Sequence, residues 1–407
     1  MKDTPLIAAL DLGDSHFTLA IGRLDEQQQL SVQALATVRA QGMEKGVFSD
    51  PIECSDAVAR LARQVEKALS IRLPKLAVAV HGTHLKSYNA SAAIPIPDPT
   101  VGISKKDVER VITTCRTLSL DYDRQILHAF DRGFVVDGQA GIKDPVGLSG
   151  TKLNVELHLV TAQNLSMQNL VKVLNRAGLE VGQLILPGLA AAEAVLLDLD
   201  QELGVTLVRI GEFQTEILIF NDGAVRETFV IPWGTDHLAE SFSRTFKLPA
   251  TSIGQILEQV KSIDQHPEWA AVPVRVQAGS LVRSFPQGEV AQLVGSKARE
   301  FLARVRHKLD ESASFRESAA GVIMVGELAH LDGFLEAAES ILNVPVRLGT
   351  LREIQRNPGV EISSLHTTSV GLLRYAARQL AAQNHSGPTS FWERSLDRAR
   401  LIFEEYF

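Results

Sequence analysis

Two stretches of this chain, separated by nearly half its length, share one strand–turn–strand pattern. Residues 9–22 read ALDLGDSHFTLAIG, and residues 207–220 read LVRIGEFQTEILIF, so the two align without gaps. Each has a strand, a turn that contains a glycine, and a second strand. An internal repeat of this kind predicts a duplicated α/β core with a cleft between its halves. The alternative is that two β-hairpins resemble each other by chance.

Composition limits the class of protein and the ligands to consider. The chain has 407 residues, 45% of them hydrophobic, which predicts two to four domains with sizeable cores. Its net charge of −7 gives no basic field for a nucleic acid. The 11 histidines show no ligand spacing, and Cys54 and Cys115 are the only cysteines, so we expect no metal site and a reducing compartment.

The ends and the apolar runs of the sequence bear on its location. The first predicted strand starts directly after Met1–Pro5, and we expect no signal peptide there. The longest apolar stretch, residues 184–197, is interrupted by Pro187 and Glu193, and it is too short to span a bilayer. We therefore expect a cytoplasmic protein whose contact with a membrane, if it has one, is peripheral.

The hydrophobic periodicity predicts strands and helices in alternation. The predicted strands are 6–13, 17–24, 75–81, 125–136, 152–162, 181–186, 205–211, 215–221 and 321–326. The predicted helices are 51–70, 104–118, 166–177, 188–200 and 330–342, with a mostly helical region at 236–315 and a last core helix ending near Ala382.

Several longer runs resemble one protein family in collinear order over nearly the whole chain. Its members are the bacterial division protein FtsA and close relatives, in the actin/Hsp70/hexokinase superfamily. The runs are DLGDS (11–15), RAQGMEKGVFSD (39–50), VAVHGTHLKSYN (78–89), GIKDPVGLSG (141–150), LNVELHLVTA (153–162), AGLEVGQLILPGLAAAEAVLLDLDQELGV (177–205) and VIPWGTDHLAESF (230–242). The pilus-assembly protein PilM is a nearby relative and the competing resemblance.

The resemblance implies an α/β, actin-like duplicated core with two further subdomains. Subdomain 1C, inserted in the first half, belongs to FtsA and its close relatives and not to actin. The implied segments are 1–83 (first core half, 1A), 84–162 (1C), 163–235 (end of 1A and start of the second half, 2A), 236–315 (2B), 316–382 (rest of 2A and return to 1A), 383–390 (linker) and 391–407 (membrane-targeting helix).

The resemblance also implies a nucleotide site, and its loops are altered in this chain. In the family, two glycine-containing hairpin loops approach the phosphates, acidic residues hold Mg²⁺ through water, and a glycine-rich turn seats the adenosine. The residues that remain suited to ATP are Asp11, Gly13, Ser15, Gly211, Thr215 and Gly326. The residues that depart from the family pattern are Asp14, Arg209, Glu212, Phe213, Glu327 and Leu328.

These substitutions share one physical direction. Three of them bring carboxylates to loops that cradle anions, and a carboxylate ~4 Å from a phosphate charge costs roughly 1–4 kcal/mol. Phe213 and Leu328 add bulk where the backbone approaches a ligand. We therefore expect ATP binding to be weak or lost and hydrolysis absent, a pseudo-ATPase. The alternative is that the retained residues bind Mg-ATP in an altered pose. Arg209 would then pair with a phosphate, or otherwise with Asp11 across an empty cleft.

The end of the sequence has the pattern of an amphipathic helix. After the polar stretch 383–390, residues 391–407 read FWERSLDRARLIFEEYF and place large apolar side chains on one side, with Leu401 as the exception. Such a segment is typical of an interfacial membrane anchor, and the alternative is docking on a protein surface. The three arginines face four acids, so binding would depend on apolar area. The expected membrane-binding residues are Phe391, Trp392, Leu396, Ile402, Phe403, Tyr406 and Phe407.

A basic run at 297–308 is the candidate partner surface. Arg299 falls where the family has an arginine that meets the acidic C-terminal tail of FtsZ, although a run of charge is often only a solvated helix face. The implied function is a filament-forming scaffold that tethers FtsZ to the inner face of the membrane and meets other division proteins through 1C. The alternatives are an ATPase or sugar-kinase-like enzyme, a PilM-like adaptor, and a paralogue that regulates an intact FtsA.

Overall fold

The computed structural model describes residues 5–249, 252–265, 272–278 and 281–384. The segment 391–407 and its expected membrane-binding residues lie outside this range. In the first half, the elements are β1 (Leu6–Leu12), β2 (His16–Leu24), β3 (Leu30–Arg39), β4 (Met43–Glu44), β5 (Val47–Phe48), α1 (Pro51–Leu69) and β6 (Leu76–Ala79). An inserted domain follows, with β7 (Lys86–Pro95), α2 (Lys105–Leu118), β8 (Arg124–Val136), β9 (Gln139–Ile142) and β10 (Lys152–Gln163).

The chain then completes the first half and builds the second. The connecting elements are α3 (Asn164–Arg176), β11 (Val181–Ile185), α4 (Pro187–Val195) and α5 (Asp198–Leu203). The second half contains β12 (Val205–Ile210), β13 (Thr215–Asn221), β14 (Ala224–Ile231), α6 (Thr235–Phe246), α7 (Ile253–Leu257), β15 (Pro273–Ala278), β16 (Leu281–Pro286), α8 (Gln287–Asp310), β17 (Val322–Val325), α9 (Phe334–Leu342) and β18 (Val346–Leu348). The chain returns to the first half with β19 (Gln355–Arg356) and α10 (Thr367–Asn384).

Two sheets of the same topology form the core. The first has the order β11-β6-β1-β2-β3-β19, and the second has the order β14-β13-β12-β17-β18. In the first sheet, β1, β2 and β3 are antiparallel, and β6 and β11 run parallel to β1. In the second sheet, β12, β13 and β14 are antiparallel, and β17 and β18 run parallel to β12. The first sheet has β19 as an additional edge strand. The hairpins β1–β2 and β12–β13 hold equivalent places, which confirms the predicted duplication. Asp11 on β1 therefore corresponds to Arg209 on β12.

The inserted domain has its own sheet and core. Its strands run in the order β7-β10-β8-β9, and α2 packs on this sheet through buried side chains such as Val111. Ser104 caps the start of α2. Its hydroxyl accepts the Asp107 N–H (3.3 Å), and the Asp107 carboxylate accepts the Ser104 N–H (3.0 Å). The inserted domain therefore has a hydrophobic core of its own, separate from the cores of the two halves.

Three sequence predictions differ from the structure. The helix predicted at 188–200 is two helices, because the backbone becomes extended at Leu196 and Leu197 before α5 begins. The region 236–315 contains the hairpin β15–β16 as well as helices. The helix predicted at 330–342 starts only at Phe334, after a 3-10 turn at Glu327–His330. Among the described residues, no helix is long and apolar enough to cross a bilayer.

The two halves share a seam of closely packed helices. The backbone of α10 approaches α4 so tightly at Gly371 that a Cβ atom there would overlap the carbonyl group of Ala190. An ion pair between Arg378 and Glu193 (2.7 Å) extends the same contact toward the end of α10. Because β11 and β12 flank α4 and α5 in sequence, this seam sets how the two sheets face each other.

Replacing Gly371 with alanine should therefore destabilise the protein. The added methyl group meets backbone atoms that cannot rotate away, and we expect a loss of about 1–3 kcal/mol in the free energy of unfolding. Urea denaturation followed by circular dichroism measures this. Gly254→Ala is the matched control, because that helical glycine has open space at its Cβ position. Equal midpoints for the two variants would contradict the close approach of α10 and α4.

Candidate functional site

The first loop of the cleft joins β1 to β2. Asp11 lies at the end of β1, and its Oδ1 is 2.6 Å from Nε2 of His81, which follows β6. Burial alone would raise the pKa of Asp11, but the charge and hydrogen bond of His81 and the charge of Arg209 lower it overall. Asp11 is therefore an ionised carboxylate held by a histidine of its own half.

The second loop joins β12 to β13 and is fixed to the start of α6. The Thr235 N–H donates to the carbonyl of Gly211 (3.2 Å), and the Asp236 N–H donates to that of Glu212 (2.8 Å). Gly234 makes this possible, because a Cβ atom there would overlap the Glu212 backbone. The loop is thus held in place by the first turn of a helix, which directs its side chains toward the first half.

Arg209 contacts a residue of its own sheet and a residue of α10. It is the cross-strand neighbour of Glu216, with Nη1 to Oε1 at 3.7 Å, and its Nε donates to Thr368 (3.2 Å). Glu216 is fully buried, and it also accepts the Gly188 N–H and an amide hydrogen of Gln214 (2.7 Å). The contacts seen for Arg209 are thus with Glu216 and Thr368, and it acts on Asp11 through its charge alone.

Three consecutive side chains of the second loop reach across to the first half. The Glu212 carboxylate accepts the Ser15 N–H (2.8 Å) and the Ser15 hydroxyl hydrogen. Phe213 is buried against Gly46, where a Cβ atom would lie 2.6 Å from the Phe213 ring. The side-chain oxygen of Gln214 accepts the Gly82 N–H (3.2 Å). The expected phosphate position at Ser15 therefore already holds an anion supplied by the protein.

Carboxylates crowd the same space. Asp14 accepts the Gly46 N–H (2.9 Å), which opposes the effect of burial on its pKa. Burial, together with the charges of Glu212 and Asp236, nevertheless raises the pKa of Asp14 to about 6. Partial burial and the charges of Glu212 and Glu258 raise the pKa of Glu327. The cleft thus has an electrostatic preference against further negative charge.

The third loop lies where the adenosine turn was expected. Gly326 ends β17 with φ +125°, a conformation that side chains disfavour, and a Cβ atom there would overlap the carbonyl of Ile210. Leu328 is fully buried in the core of the second half. Its bulk therefore does not enter the cleft, unlike that of Phe213. Only a single 3-10 turn follows, at Glu327–His330.

The structure brings together most of the residues singled out in the sequence, and it adds others. Asp14, Ser15, Glu212 and Phe213 meet at the mouth of the cleft. Sequence reasoning missed the partners His81, Gly46, Gly82 and Gln214. The runs 39–50 and 78–89 contained the first three, but only as carriers of a family resemblance. Within the described ranges, no group of three or more histidine, cysteine or acidic side chains is placed to hold a metal ion.

The predicted partner residue Arg299 lies on α8, where its guanidinium pairs with Asp264, and both side chains are about half exposed. Its neighbours are paired as well, Lys297 and Arg304 with Glu300 (2.7 and 3.1 Å). Next to them, an open groove of about 550 Å³ has an apolar floor and a basic rim. Its lining residues are Ile231, Pro232, Glu300, Ala303, Arg304, His307 and Lys308.

Comparison with known proteins gives a consistent result at three levels. Residues 82–161 match the family model of the SHS2 domain inserted in FtsA. The cell division protein FtsA of Pseudomonas aeruginosa is 29% identical over 385 residues, which cover 92% of this chain and 90% of that protein.

Solved structures extend the comparison to the fold. The PilM–PilN type IV pilus biogenesis complex matches with a TM-score of 0.64 at 13% identity, over 91% of this chain and 98% of the other. MreB5 of Spiroplasma citri bound to ADP matches with a TM-score of 0.56 at 10% identity, over 94% and 99% of the two chains.

The duplicated sheets, the cleft between their hairpin loops and these structural neighbours define an actin-like fold. The match of the inserted domain makes this likeness more specific. The chain is similar to the bacterial cell division protein FtsA along nearly its whole length.

The raised pKa of Asp14 predicts how stability depends on pH. A carboxyl group whose pKa is raised from 3.8 to about 6 by folding costs stability when ionised, and this cost shrinks as the pH falls below 6 and is lost near 3.8. Asp14→Asn should therefore raise the free energy of unfolding at pH 7 by about 1–3 kcal/mol, and its advantage should shrink steadily below pH 6 and vanish near pH 4. Urea denaturation across this range tests it, with the exposed Glu26→Gln as control. Parallel pH profiles for wild type and Asp14→Asn would contradict the prediction.

Proposed function

We propose that this protein is an FtsA-like scaffold of cell division, which polymerises and tethers FtsZ filaments to the cytoplasmic face of the membrane while binding ATP weakly or not at all. Similarity to FtsA proteins over 92% of the chain and the match of the inserted domain support the division role. Peripheral attachment to the membrane, self-association into filaments, and contact with other division proteins through the inserted domain belong to the same proposal.

The observation that carries the nucleotide part of the proposal is the contact between Glu212 and Ser15. A phosphate loop binds its ligand through backbone N–H and hydroxyl donors, and here both Ser15 donors are taken by a carboxylate of the same chain. An incoming phosphate would have to displace this carboxylate and then sit among Asp14, Glu212 and Glu327. Both effects weaken binding, so we infer a scaffold rather than a turnover enzyme.

A second candidate is an ATP-binding enzyme on the same fold. Six residues suited to the nucleotide remain, and MreB5, which shares the fold, is bound to ADP. Phosphoryl transfer, however, needs donors free to hold the transferring group. His81 engages Asp11, and Glu212 engages Ser15, so the retained residues already have partners. A PilM-like adaptor shares only the fold, since identity to PilM is 13%.

The surface around Arg299 suits an acidic peptide that also carries apolar side chains. The groove beside α8 offers Ile231, Pro232 and Ala303 as an apolar floor, with Arg304 and Lys308 at its rim. Each nearby cation has an intramolecular acid, and exposed pairs of this kind contribute little to stability. An FtsZ tail would therefore exchange one carboxylate for another at Arg299 at low cost.

Membrane attachment is assigned to residues 391–407. Their sequence places Trp392, Leu396 and Phe403 on one side of a helix, with charged residues opposite. With three arginines against four acids, this segment would bind through apolar burial rather than through attraction to anionic lipid.

Calorimetric titration of the purified chain tests the nucleotide proposal. Mg-ATP and ADP should give no heat of binding up to millimolar concentration, because the protein's own carboxylate occupies the loop. Titration of each nucleotide into buffer is the control for heat of dilution. Binding in the micromolar range would overturn the proposal and favour ATP-gated assembly.

Recruitment of FtsZ to liposomes tests the scaffold as a whole. The wild-type chain should carry FtsZ into the liposome pellet, and deletion of residues 389–407 should leave both proteins in the supernatant. Arg299→Glu should still pellet, with affinity for an FtsZ tail peptide lowered by about tenfold or more because the charge is reversed. Arg244→Glu on α6 is the matched control, because it reverses the charge of an exposed arginine that does not line the groove. Recruitment that survives both changes would defeat the membrane and the partner assignments.

A further inference from the structure

One tripeptide of the second loop makes three contacts across the mouth of the cleft. Glu212, Phe213 and Gln214 contact Ser15, Gly46 and Gly82 respectively, and the three partners come from separate segments of the first half. An exposed ion pair between Lys45 and Glu240 (3.3 Å) lies nearby at the rim. Three consecutive residues of the second half therefore contact three separate segments of the first half.

The contact of Glu212 has the chemistry of a bound phosphate. Its two oxygens accept the N–H and the hydroxyl hydrogen of Ser15, as the oxygens of a phosphate would. The position is specific, because the hydrogen bonds of Thr235 and Asp236 fix the backbone from which Glu212 extends. The carboxylate remains there although Asp14 and Glu327 add negative charge around it.

Phe213 and Gln214 make the contact more than a single hydrogen-bonded pair. Phe213 fills the space above Gly46, whose lack of a side chain admits the ring. Gln214 joins two environments, because its oxygen accepts from Gly82 and its nitrogen donates to the buried Glu216. Separation of the halves would thus expose an aromatic ring and leave a buried amide without a partner.

A second set of hydrogen bonds joins the inserted domain to β14 of the second half. Nε2 of His158 is 2.9 Å from the Thr228 hydroxyl, and Nδ1 is 2.7 Å from Asn89. Burial and the charge of Arg132 lower the pKa of His158 to about 3, so the ring is neutral, donating through one nitrogen and accepting through the other. Arg226 also donates to the carbonyl of Arg132 (2.8 Å). The halves are therefore joined on two sides as well as at the helix seam.

We propose that Glu212 is a built-in substitute for the nucleotide phosphate, and that Glu212, Phe213 and Gln214 form a latch that holds the core closed without any ligand. The inference rests on the proposed loss of nucleotide control and extends it to regulation. In hinge-closing proteins, a ligand between two domains supplies the contacts that favour the closed state. Here those contacts belong to the chain, so closure precedes any encounter with ATP.

Spin labels on the two halves would test the latch in the full-length chain. Gln64→Cys on α1 and Thr245→Cys on α6 are exposed positions. The native Cys54 and Cys115 are buried, and burial raises the pKa of Cys54 to about 12 and raises that of Cys115, so neither thiol competes for the label. Double electron–electron resonance then measures the distance between the halves.

We expect one narrow distance distribution, unchanged by Mg-ATP. Glu212→Gly should broaden it toward longer distances, and Ser15→Ala, which removes one donor from the opposite side, should broaden it less. Glu240→Gln is the matched control, because it removes only exposed ion pairs, with Lys45 and Arg244, and should leave the distribution unchanged. Thermal melts by circular dichroism establish that each variant is folded.

The outcomes separate the latch from the proposed function. A long distance in the wild type that Mg-ATP shortens would overturn both. An identical distribution in wild type and Glu212→Gly, with no nucleotide binding, would overturn the latch and leave the scaffold proposal standing. A narrow distribution that depends on Glu212, in a protein that calorimetry shows to bind ATP, would support the latch and overturn the loss of nucleotide binding.

Discussion

The close packing of α10 on α4 is the constraint on which the rest of the molecule depends. It holds two sheets of the same topology face to face, so that the hairpin loops at equivalent positions meet across one cleft. Without that fixed relation, Glu212 and Ser15, which lie 197 residues apart in sequence, would have no reason to be neighbours. A single helix–helix contact without room for a methyl group thus determines the geometry of the site.

The second loop, between β12 and β13, interacts with the first half through side chains rather than keeping backbone donors free for a ligand. A glycine-rich loop leaves its backbone donors for a ligand, whereas Glu212, Phe213 and Gln214 fill the same space with side chains. The exchange concentrates negative charge, and the charge of Glu212 adds to the burial that raises the pKa of Asp14 to about 6. The hydrogen bonds of Ser15 and the burial of Phe213 offset that repulsion, so the cleft combines unfavourable electrostatics with favourable packing.

The sequence predicted the duplicated core better than it predicted the side-chain contacts in the cleft. The repeat at 9–22 and 207–220 predicted the duplicated core, because strand–turn–strand patterns are local and survive in one sequence. The altered loop residues were found by comparison with a family pattern. The partners of those residues were not, since Gly82 meets Gln214 only through tertiary structure. The sequence also did not predict the partner of Arg209, which pairs with its cross-strand neighbour Glu216 and not with Asp11 across the cleft.

The hairpin β15–β16 and the break at Leu196–Leu197 were missed because their local signals are weak. In β15 the buried Val274 and Val276 alternate with other residues over only six positions, inside a region dominated by helices. At Leu196–Leu197 no glycine or proline marks the end of α4.

The carboxylate of Glu212 differs from a free ligand in one further respect. A group attached to the chain has a fixed effective concentration at its binding site, whatever the composition of the surrounding solution. Occupancy of the loop at Ser15 by Glu212 is therefore not tied to the energy state of the cell. In the proposed scaffold, a filament built from such subunits would keep its form when ATP runs low, and its turnover would follow the supply of partners and of membrane rather than the supply of ATP.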